Sequence, residues 1–217
     1  MSEIKKAIVN VSTSAYTNGR LRLEDSLKGR FDGEAMLWSD EKQVGSPSHT
    51  ENPYAFKIYA IEEALKMGYN NILWLDASVY AVKDTQPVFD LMRRNGVFME
   101  AAGHFVGTWS NDYALAYFGI SREEANTIPM FSAGFIGFDF TKSVAVEFFN
   151  RWKRSMLAGC FEGSWTDHRH DMTCGSIIAH QMNLTHTYNG AGDLFAYIGG
   201  GYSAPKESAI FYLESGI

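Results

Sequence analysis

An acidic segment that follows a hydrophobic run is the first place in the sequence suited to chemistry. Residues 71–75 (NILWL) are typical of a buried strand, and Asp76, Ala77 and Ser78 come directly after them. In open α/β sheets, ligands bind beyond the carboxyl ends of the strands, which is where Asp76 would stand. A carboxylate there can hold a divalent cation that in turn binds a diphosphate. The alternative is an aspartate that ends the strand by hydrogen bonding within a turn.

A second candidate is the run of five polar residues from Asp167 to Asp171 (DHRHD) at the predicted start of a helix. Asp171 could orient a hydroxyl group, and His170 could exchange a proton near neutral pH. Arg169 could hold a phosphate with two parallel hydrogen bonds. Two alternatives stay open. An aspartate caps the helix and the histidines are solvated, or His168, His170 and Asp171 form the metal centre of a metal-dependent hydrolase.

The elements that must position these residues alternate between strands and helices. Strands are predicted over residues 7–11, 35–38, 71–75, 79–82, 97–100 and 131–140, with weaker ones over 184–188 and 210–213. The best-marked helix has Asn52 as its N-cap and Pro53 at its first position, and it ends near Gly68. Further helices are predicted over residues 21–27, 84–94, 143–156 and 171–182. This order predicts a single α/β domain over residues 1–217 with a mixed, mostly parallel sheet.

Composition excludes several classes of protein. Of the 217 residues, 46% are hydrophobic and 20% charged, which is typical of a folded chain rather than a disordered one. Lys and Arg number 19 against 25 Asp and Glu, a net charge of −6 with scattered basic residues, so nucleic acid is not the expected partner. Two cysteines give no disulfide framework. The sequence has no signal-peptide pattern and no apolar run of transmembrane length, so we expect a soluble, cytoplasmic protein.

Three motifs in order resemble the GT-A glycosyltransferases, especially the glycogenin and galactosyltransferase-like group. Residues 57–65 and 71–82 resemble the donor-site segment, in which a helix with a basic residue precedes a strand that ends in an Asp-x-Asp motif. Lys57 matches the basic residue, which implies contact with the donor sugar or phosphates. Asp76 matches the first aspartate of the motif, and Ser78 replaces the second.

The other two motifs lie further along the chain. Residues 131–138 (FSAGFIGF) resemble the family strand that lines the sugar and acceptor site, and this implies that Ser132, Ala133 and Gly134 lie there. Gly134 fits the family glycine, while Ser132 replaces an asparagine. The pair Asp171 and Met172 resembles the family Asp-Gln pair, with Met172 in place of the glutamine.

Two loops contain further candidate residues. Thr13 and Tyr16 follow the first strand, where this fold binds the nucleotide base, and Tyr16 could stack on it. A plain surface loop is the alternative. His104 and Trp109 lie in a loop that could stack a sugar ring, or that packs on the core.

The resemblance implies an α/β/α sandwich of the nucleotide-diphospho-sugar transferase type, which moves a sugar from a nucleotide diphosphate-sugar to a saccharide or other hydroxyl acceptor. Thr13, Lys57, Asp76, Gly134 and Asp171 should then line one cleft. With Ser78 in the motif, Mn²⁺ or Mg²⁺ at Asp76 should bind weakly. Lys57, Arg169 and a helix N-terminus could bind the donor diphosphate instead. The missing carboxylate also leaves open a non-catalytic nucleotide-sugar or saccharide binding module.

Overall fold

The computed structural model describes residues 3–184, 194–198 and 206–214. The strands are β1 (Lys6–Val11), β2 (Glu34–Trp38), β3 (Asn71–Leu75), β4 (Val79–Ala81), β5 (Val97–Phe98), β6 (Ala101–Phe105), β7 (Pro129–Phe131), β8 (Phe135–Asp139), β9 (Phe195–Ile198) and β10 (Phe211–Glu214). The α-helices are α1 (Thr17–Leu27), α2 (Ala55–Lys66), α3 (Gln86–Asn95), α4 (Asp112–Phe118), α5 (Arg122–Ala125), α6 (Ser143–Leu157) and α7 (His170–Gln181). Three short 3₁₀ helices cover Ser14–Tyr16, Glu41–Val44 and Val106–Trp109.

The main sheet has five strands in the order β2-β1-β3-β8-β5. β1 pairs in parallel with β2 and β3, whereas β8 pairs antiparallel to both β3 and β5. Four strands therefore run in one direction and β8 runs against them. The mixed, mostly parallel sheet expected from the sequence is confirmed.

The two faces of this sheet are covered by different helices. Side chains alternate along a strand, so Ile72 and Trp74 of β3 join the core under α2, α6 and α7, while Leu73 and Leu75 join the core under α1 and α3. Both sets are fully buried. The result is a three-layer α/β/α sandwich. Asp76, which directly follows β3, continues the alternation and lies on the α2 side of the sheet.

Smaller elements surround the carboxyl edge of the main sheet. A three-stranded sheet, β4-β10-β9, packs on the α1 side, and the pair β6-β7 supports a third apolar cluster with α4, α5 and α7. Within the described ranges, no helix is both long and apolar enough to cross a bilayer.

Two predicted boundaries were wrong. Helix α2 begins at Ala55 rather than at Pro53, because Tyr54 before it is in the left-handed region with φ 60°, and Asn52 caps nothing. The strand predicted over 131–140 breaks at Ala133 and Gly134, because β7 pairs with β6 whereas β8 enters the main sheet. The weak strand predicted over 184–188 falls mainly outside the described residues.

Candidate functional site

A cleft of about 390 Å³ opens at the carboxyl edge of β1 and β3. Four residues predicted for the donor site line it: Thr13, Tyr16, Asp76 and Ser78. Its other lining residues are Val11, Ser12, His49, Tyr54, Phe56 and Ala77. The cleft therefore combines polar groups from two strand ends with a wall of aromatic rings.

Asp76 is held in place from both its backbone and its side chain. The Trp74 indole Nε1 donates to Asp76 Oδ1 at 2.7 Å, because residues two apart along a strand lie on the same face. The Asp76 amide donates to the carbonyl of Gly134 at 2.8 Å, which extends the β3–β8 ladder by one bond. The carboxylate is 33% exposed, so it faces both the cleft and the protein interior.

Lys57 lies beneath Asp76, and its side chain is only 2% exposed. Its ammonium donates to the Ala133 carbonyl at 2.7 Å and lies 2.8 Å from Asp171 Oδ2 and 3.3 Å from Asp76 Oδ1. Burial alone would lower the pKa of Lys57, but the two carboxylates raise it above its ordinary value. The sequence pattern did not indicate that this lysine is a buried, charged centre that joins three segments.

Asp171 is the other carboxylate of this cluster, and its side chain is 2% exposed. Burial raises its pKa, and the nearby Lys57 opposes that rise. The capping alternative for Asp171 is wrong: Arg169 is the N-cap residue of α7, and no side chain makes a capping hydrogen bond there. Asp171 and Asp76 therefore share one lysine. We call Lys57, these two carboxylates and the Ala133 carbonyl the Lys57 cluster.

His168 and His170 are buried rather than solvated, contrary to the surface alternative. His168 uses both ring nitrogens: Nε2 donates to the Cys160 carbonyl at 2.9 Å, and Nδ1 accepts from the Asn111 amide at 3.3 Å. Burial lowers the pKa of His168 to about 4 and also lowers the pKa of His170. His170 Nδ1 donates to the Phe161 carbonyl at 2.7 Å, so Nε2 is its acceptor nitrogen.

The metal-hydrolase alternative is not favoured by this arrangement. His168 has no free ring nitrogen for a metal, and the described residues contain no group of three His, Cys, Asp or Glu side chains that could hold an ion. The Asp-x-Asp position does not fit a resident Mn²⁺ or Mg²⁺ either. Asp76 Oδ1 is engaged by Trp74 and Lys57, and the Ser78 hydroxyl is a poor ligand for these cations.

Ser132, Ala133 and Gly134 form the break between β7 and β8, behind the Lys57 cluster. The Ser132 hydroxyl accepts from the Tyr197 hydroxyl at 3.0 Å, and Ser132 is buried. A Cβ atom at Gly134 would lie 3.3 Å from Asp76 Oδ2, so glycine allows the carboxylate to pack closely. These residues position Lys57 and Asp76, and their predicted contact with sugar or acceptor stays a prediction.

Backbone strain is concentrated at this site. Tyr54 and His170 both have left-handed backbone conformations, with φ 60° and 41°. Their rings lie 5.2 Å apart, and Tyr54 also lies 5.1 Å from the Lys57 ammonium. Such conformations cost about 1–3 kcal/mol each and tend to occur where function requires them.

Arg169 is not among the residues that line the cleft. Its guanidinium lies between two indole rings, 3.7 Å from the centre of Trp109 and 4.0 Å from the centre of Trp165. Trp165 lies 5.9 Å from Tyr54, which does line the cleft. The aromatic surface therefore continues from the cleft onto its rim, where His104 meets Trp109 edge-on at 6.2 Å.

Sequence reasoning missed His49, Tyr54 and Phe56 as cleft residues. The loop over 39–52 was long and polar, which is a signal of function, and it brings His49 against the ring of Tyr54 at 4.7 Å. Tyr54 falls inside the helix predicted from Pro53, because nothing local marks a left-handed residue ahead of Ala55.

The fold is of the GT-A type, as the resemblance had implied. Among solved structures, the chain is similar to the bifunctional glycosyltransferase WbbM in its apo form, with a TM-score of 0.60 and 12% identity. It is also similar to a glycosyltransferase involved in glycosylation of the PBCV-1 major capsid, with a TM-score of 0.56 and 10% identity, and to mouse xyloside xylosyltransferase 1 in its apo form, with 0.53 and 8%.

The extent of these similarities differs. The alignment covers 100% of this chain but 47% of WbbM, so the chain spans about half of that protein. It covers 98% of this chain against the other two, with 94% of the capsid glycosyltransferase and 98% of the xylosyltransferase. At such low identity the likeness shows the fold alone. Comparison with models of protein families and with curated protein sequences gives no match.

Proposed function

We propose that the protein transfers a sugar from a nucleotide diphosphate-sugar to a hydroxyl group of an acceptor. The observation that carries this proposal is the Lys57 cluster, which lies under a cleft at the carboxyl edge of a GT-A sheet. This edge is where open α/β sheets bind ligands. A buried ion pair that keeps one carboxylate partly exposed is suited to contacts with sugar hydroxyls.

The nucleotide would occupy the cleft end formed after β1. Tyr16 is 51% exposed there, which suits stacking on a base, and Thr13 lies beside it. The Ser12 hydroxyl also lines the cleft and is buried, with no hydrogen-bond partner in the described part of the chain. A buried hydroxyl without a partner favours a polar ligand in this cleft.

The Lys57 cluster would act on the sugar and on the departing diphosphate. Asp76 would accept hydrogen bonds from donor-sugar hydroxyls. Asp171 is buried and does not line the cleft, so it would act by fixing Lys57 beneath Asp76. The fixed positive charge of Lys57 would offset the charges of Asp76 and Asp171, and so reduce their repulsion of the negative charge that develops on the diphosphate as the glycosidic bond breaks. His170 is buried and does not line the cleft, so it would support the site through the contact of its ring with Tyr54.

A panel of nucleotide diphosphate-sugars tests this proposal. Binding of the matched donor should raise the melting temperature by mass action, and release of nucleoside diphosphate should report turnover with and without saccharides. Asp76→Asn keeps the oxygen that accepts from Trp74 but removes the charge, and it should lower turnover at least tenfold. Asp90→Asn, on the exposed surface of α3, should not.

Two outcomes would decide against transfer, and a third would decide against the role of Asp76. A donor that stabilises the protein but is never turned over would favour the non-catalytic binding module. A wild-type protein that no nucleotide diphosphate-sugar stabilises would contradict both the transferase and that module. Equal turnover by Asp76→Asn and wild type would remove Asp76 from the site.

A further inference from the structure

A ledge of three aromatic side chains and one arginine borders the cleft on the side of α7. It consists of Tyr54, Trp165, Arg169 and Trp109, in that order of contact. Tyr54 belongs to the cleft wall, and the other three lead away from it. The ledge thus begins at the cleft and ends beyond it, next to His104.

Trp165 is the most exposed member of the ledge. It is 50% exposed although it is large and apolar, and the polar residues Ser164, Thr166 and Asp167 that flank it are exposed too. The apolar C–H face of a pyranose ring packs well on an electron-rich indole, while neighbouring hydroxyl and carboxylate groups can meet the sugar's hydroxyls. Trp165 therefore has the chemistry of a saccharide contact rather than of a core residue.

Arg169 adds charge and orientation to the ledge. The two indoles hold its planar guanidinium between them, and one N–H donates to the Trp165 carbonyl. Within the described ranges, no carboxylate lies within 4 Å of this guanidinium. A guanidinium whose plane is fixed and whose remaining N–H groups have no carboxylate partner is suited to a planar anion.

We propose that this ledge holds the acceptor, and that the acceptor is a saccharide with an anionic group that pairs with Arg169. The inference rests on the proposed function for the identity of its ligand as an acceptor. It moves Arg169 from the donor diphosphate to the acceptor, because the guanidinium lies on the rim between two tryptophans rather than among the lining residues of the cleft. Trp165, whose ring packs against Arg169 and His170 and is still 50% exposed, supplies an apolar contact, and Arg169 supplies the preference for an acidic sugar.

The test measures saccharide binding directly, by calorimetry, with oligosaccharides of equal length that are neutral, uronate-containing, or sulfated or phosphorylated. We expect the acidic sugars to bind at least tenfold more tightly than the neutral ones. Comparison of the uronate-containing with the sulfated or phosphorylated oligosaccharides shows which anion is preferred. Trp165→Ala should weaken all of them about tenfold. Arg169→Gln should remove the preference for acidic sugars, and Arg169→Lys, which keeps the charge but not the fork, should restore it only in part.

Matched controls are Arg93→Gln, at an exposed arginine of α3, and Leu157→Ala, at an exposed apolar residue of α6. Melting temperatures establish that each variant is folded. The proposal is overturned if Arg169→Gln retains the acidic preference, or if it weakens binding of a nucleoside diphosphate while saccharide binding is unchanged. Acidic sugars that bind with the expected dependence, in a protein that turns over no nucleotide-sugar, would retain the ledge and refute the proposed transfer.

Discussion

The ammonium group of Lys57 shows how much a single residue contributes to this site. It is almost fully buried. Its polar partners are the Ala133 carbonyl and the carboxylates of Asp76 and Asp171. Removing one partner from such a group leaves a buried charge less well compensated, which is far more costly than the net value of the pair. Asp76 and Asp171 were identified from a strand end and a helix start, and Lys57 from motif resemblance, but the mutual contact of these side chains depends on tertiary packing that no local pattern contains.

Asp171→Asn measures this dependence. If Asp171 were only a helix cap, asparagine would replace it without loss. Because Asp171 instead neutralises Lys57, we expect the free energy of unfolding to fall by about 1–3 kcal/mol, with Asp76 and the Ala133 carbonyl limiting the loss. Turnover should fall tenfold or more. Urea denaturation checks the first effect, with Asp167→Asn in the exposed loop as control. A silent Asp171→Asn would contradict the Lys57 cluster.

Ser78→Asp tests the missing carboxylate of the Asp-x-Asp motif. An aspartate would add a hard oxygen ligand to the cleft that Asp76 and Ser78 share. We expect Mn²⁺ affinity, measured by calorimetry without nucleotide, to rise at least tenfold over that of the wild type. Ser78→Ala should give no rise. Tight Mn²⁺ binding by the unliganded wild type would show that serine does not weaken this site.

At the scale of elements, hydrophobic periodicity predicted the strands and helices that flank the site, because β1, β3, α6 and α7 carry continuous or periodic apolar faces. It failed where two segments compete for partners. The apolar run over 131–140 has the pattern of one strand, yet its halves pair with different strands. The break between β7 and β8 leaves the Ala133 carbonyl available to accept from Lys57. The site therefore depends on a break that the apolar pattern did not predict.

The substitution Gly19→Ala in α1 should lower stability, although helix propensity alone would predict an increase. Helix propensity alone would make Gly19→Ala stabilising by about 1 kcal/mol. A Cβ atom there would lie 2.5 Å from the Ala77 carbonyl oxygen, so α1 would have to move from the turn that holds Asp76 and Ser78. We expect a net loss of about 1–3 kcal/mol in thermal or urea unfolding.

The exposed neighbour Asn18 is the control for this change. Asn18→Ala, in the same helix turn, should stay within about 0.5 kcal/mol of the wild type. If Gly19→Ala proved more stable than the wild type, the close packing of α1 against the turn after β3 would be wrong.

At the scale of the whole molecule, the alternation of strands and helices and the order of three motifs were sufficient to predict a GT-A fold. They could not predict the rim of the site. Trp109 and Trp165 are far apart in sequence and meet only through Arg169, and Tyr54 reaches them through a left-handed turn. Aromatic residues in loops carry no periodicity, so their assembly is visible only in three dimensions.

The stability of the folded chain should depend on pH through His168. Its pKa is lowered from 6.5 to about 4 by burial, so the unfolded chain binds a proton between these values that the native protein does not. Stability is therefore complete above about pH 6.5 and falls as the pH drops towards 4, by about 3 kcal/mol in total. Urea denaturation at pH 7.5 and pH 4.5 measures this.

Two variants distinguish the contribution of His168 to the pH dependence of stability from the contributions of other groups. His168→Gln, which keeps a donor for the Cys160 carbonyl, should be less stable at pH 7.5 but should lose less on acidification. His104→Gln, at an exposed histidine, should follow the wild type at both values. An unchanged acid dependence in His168→Gln would assign the effect to other groups.

The Lys57 cluster also has a consequence for the order in which the chain folds. Lys57 and Ala133 are 76 positions apart, and Asp171 lies further along still. If α2 docked on the sheet without α7, only Asp76 and the Ala133 carbonyl would compensate the buried ammonium, at a cost of about 1–3 kcal/mol, so partly folded states without α7 are disfavoured. Docking of α2 and of α7 is thereby linked into one cooperative event. In native-state hydrogen exchange, we expect amides in the two helices to open with the same free energy, and α7 exchanging while α2 stayed protected would contradict this linkage.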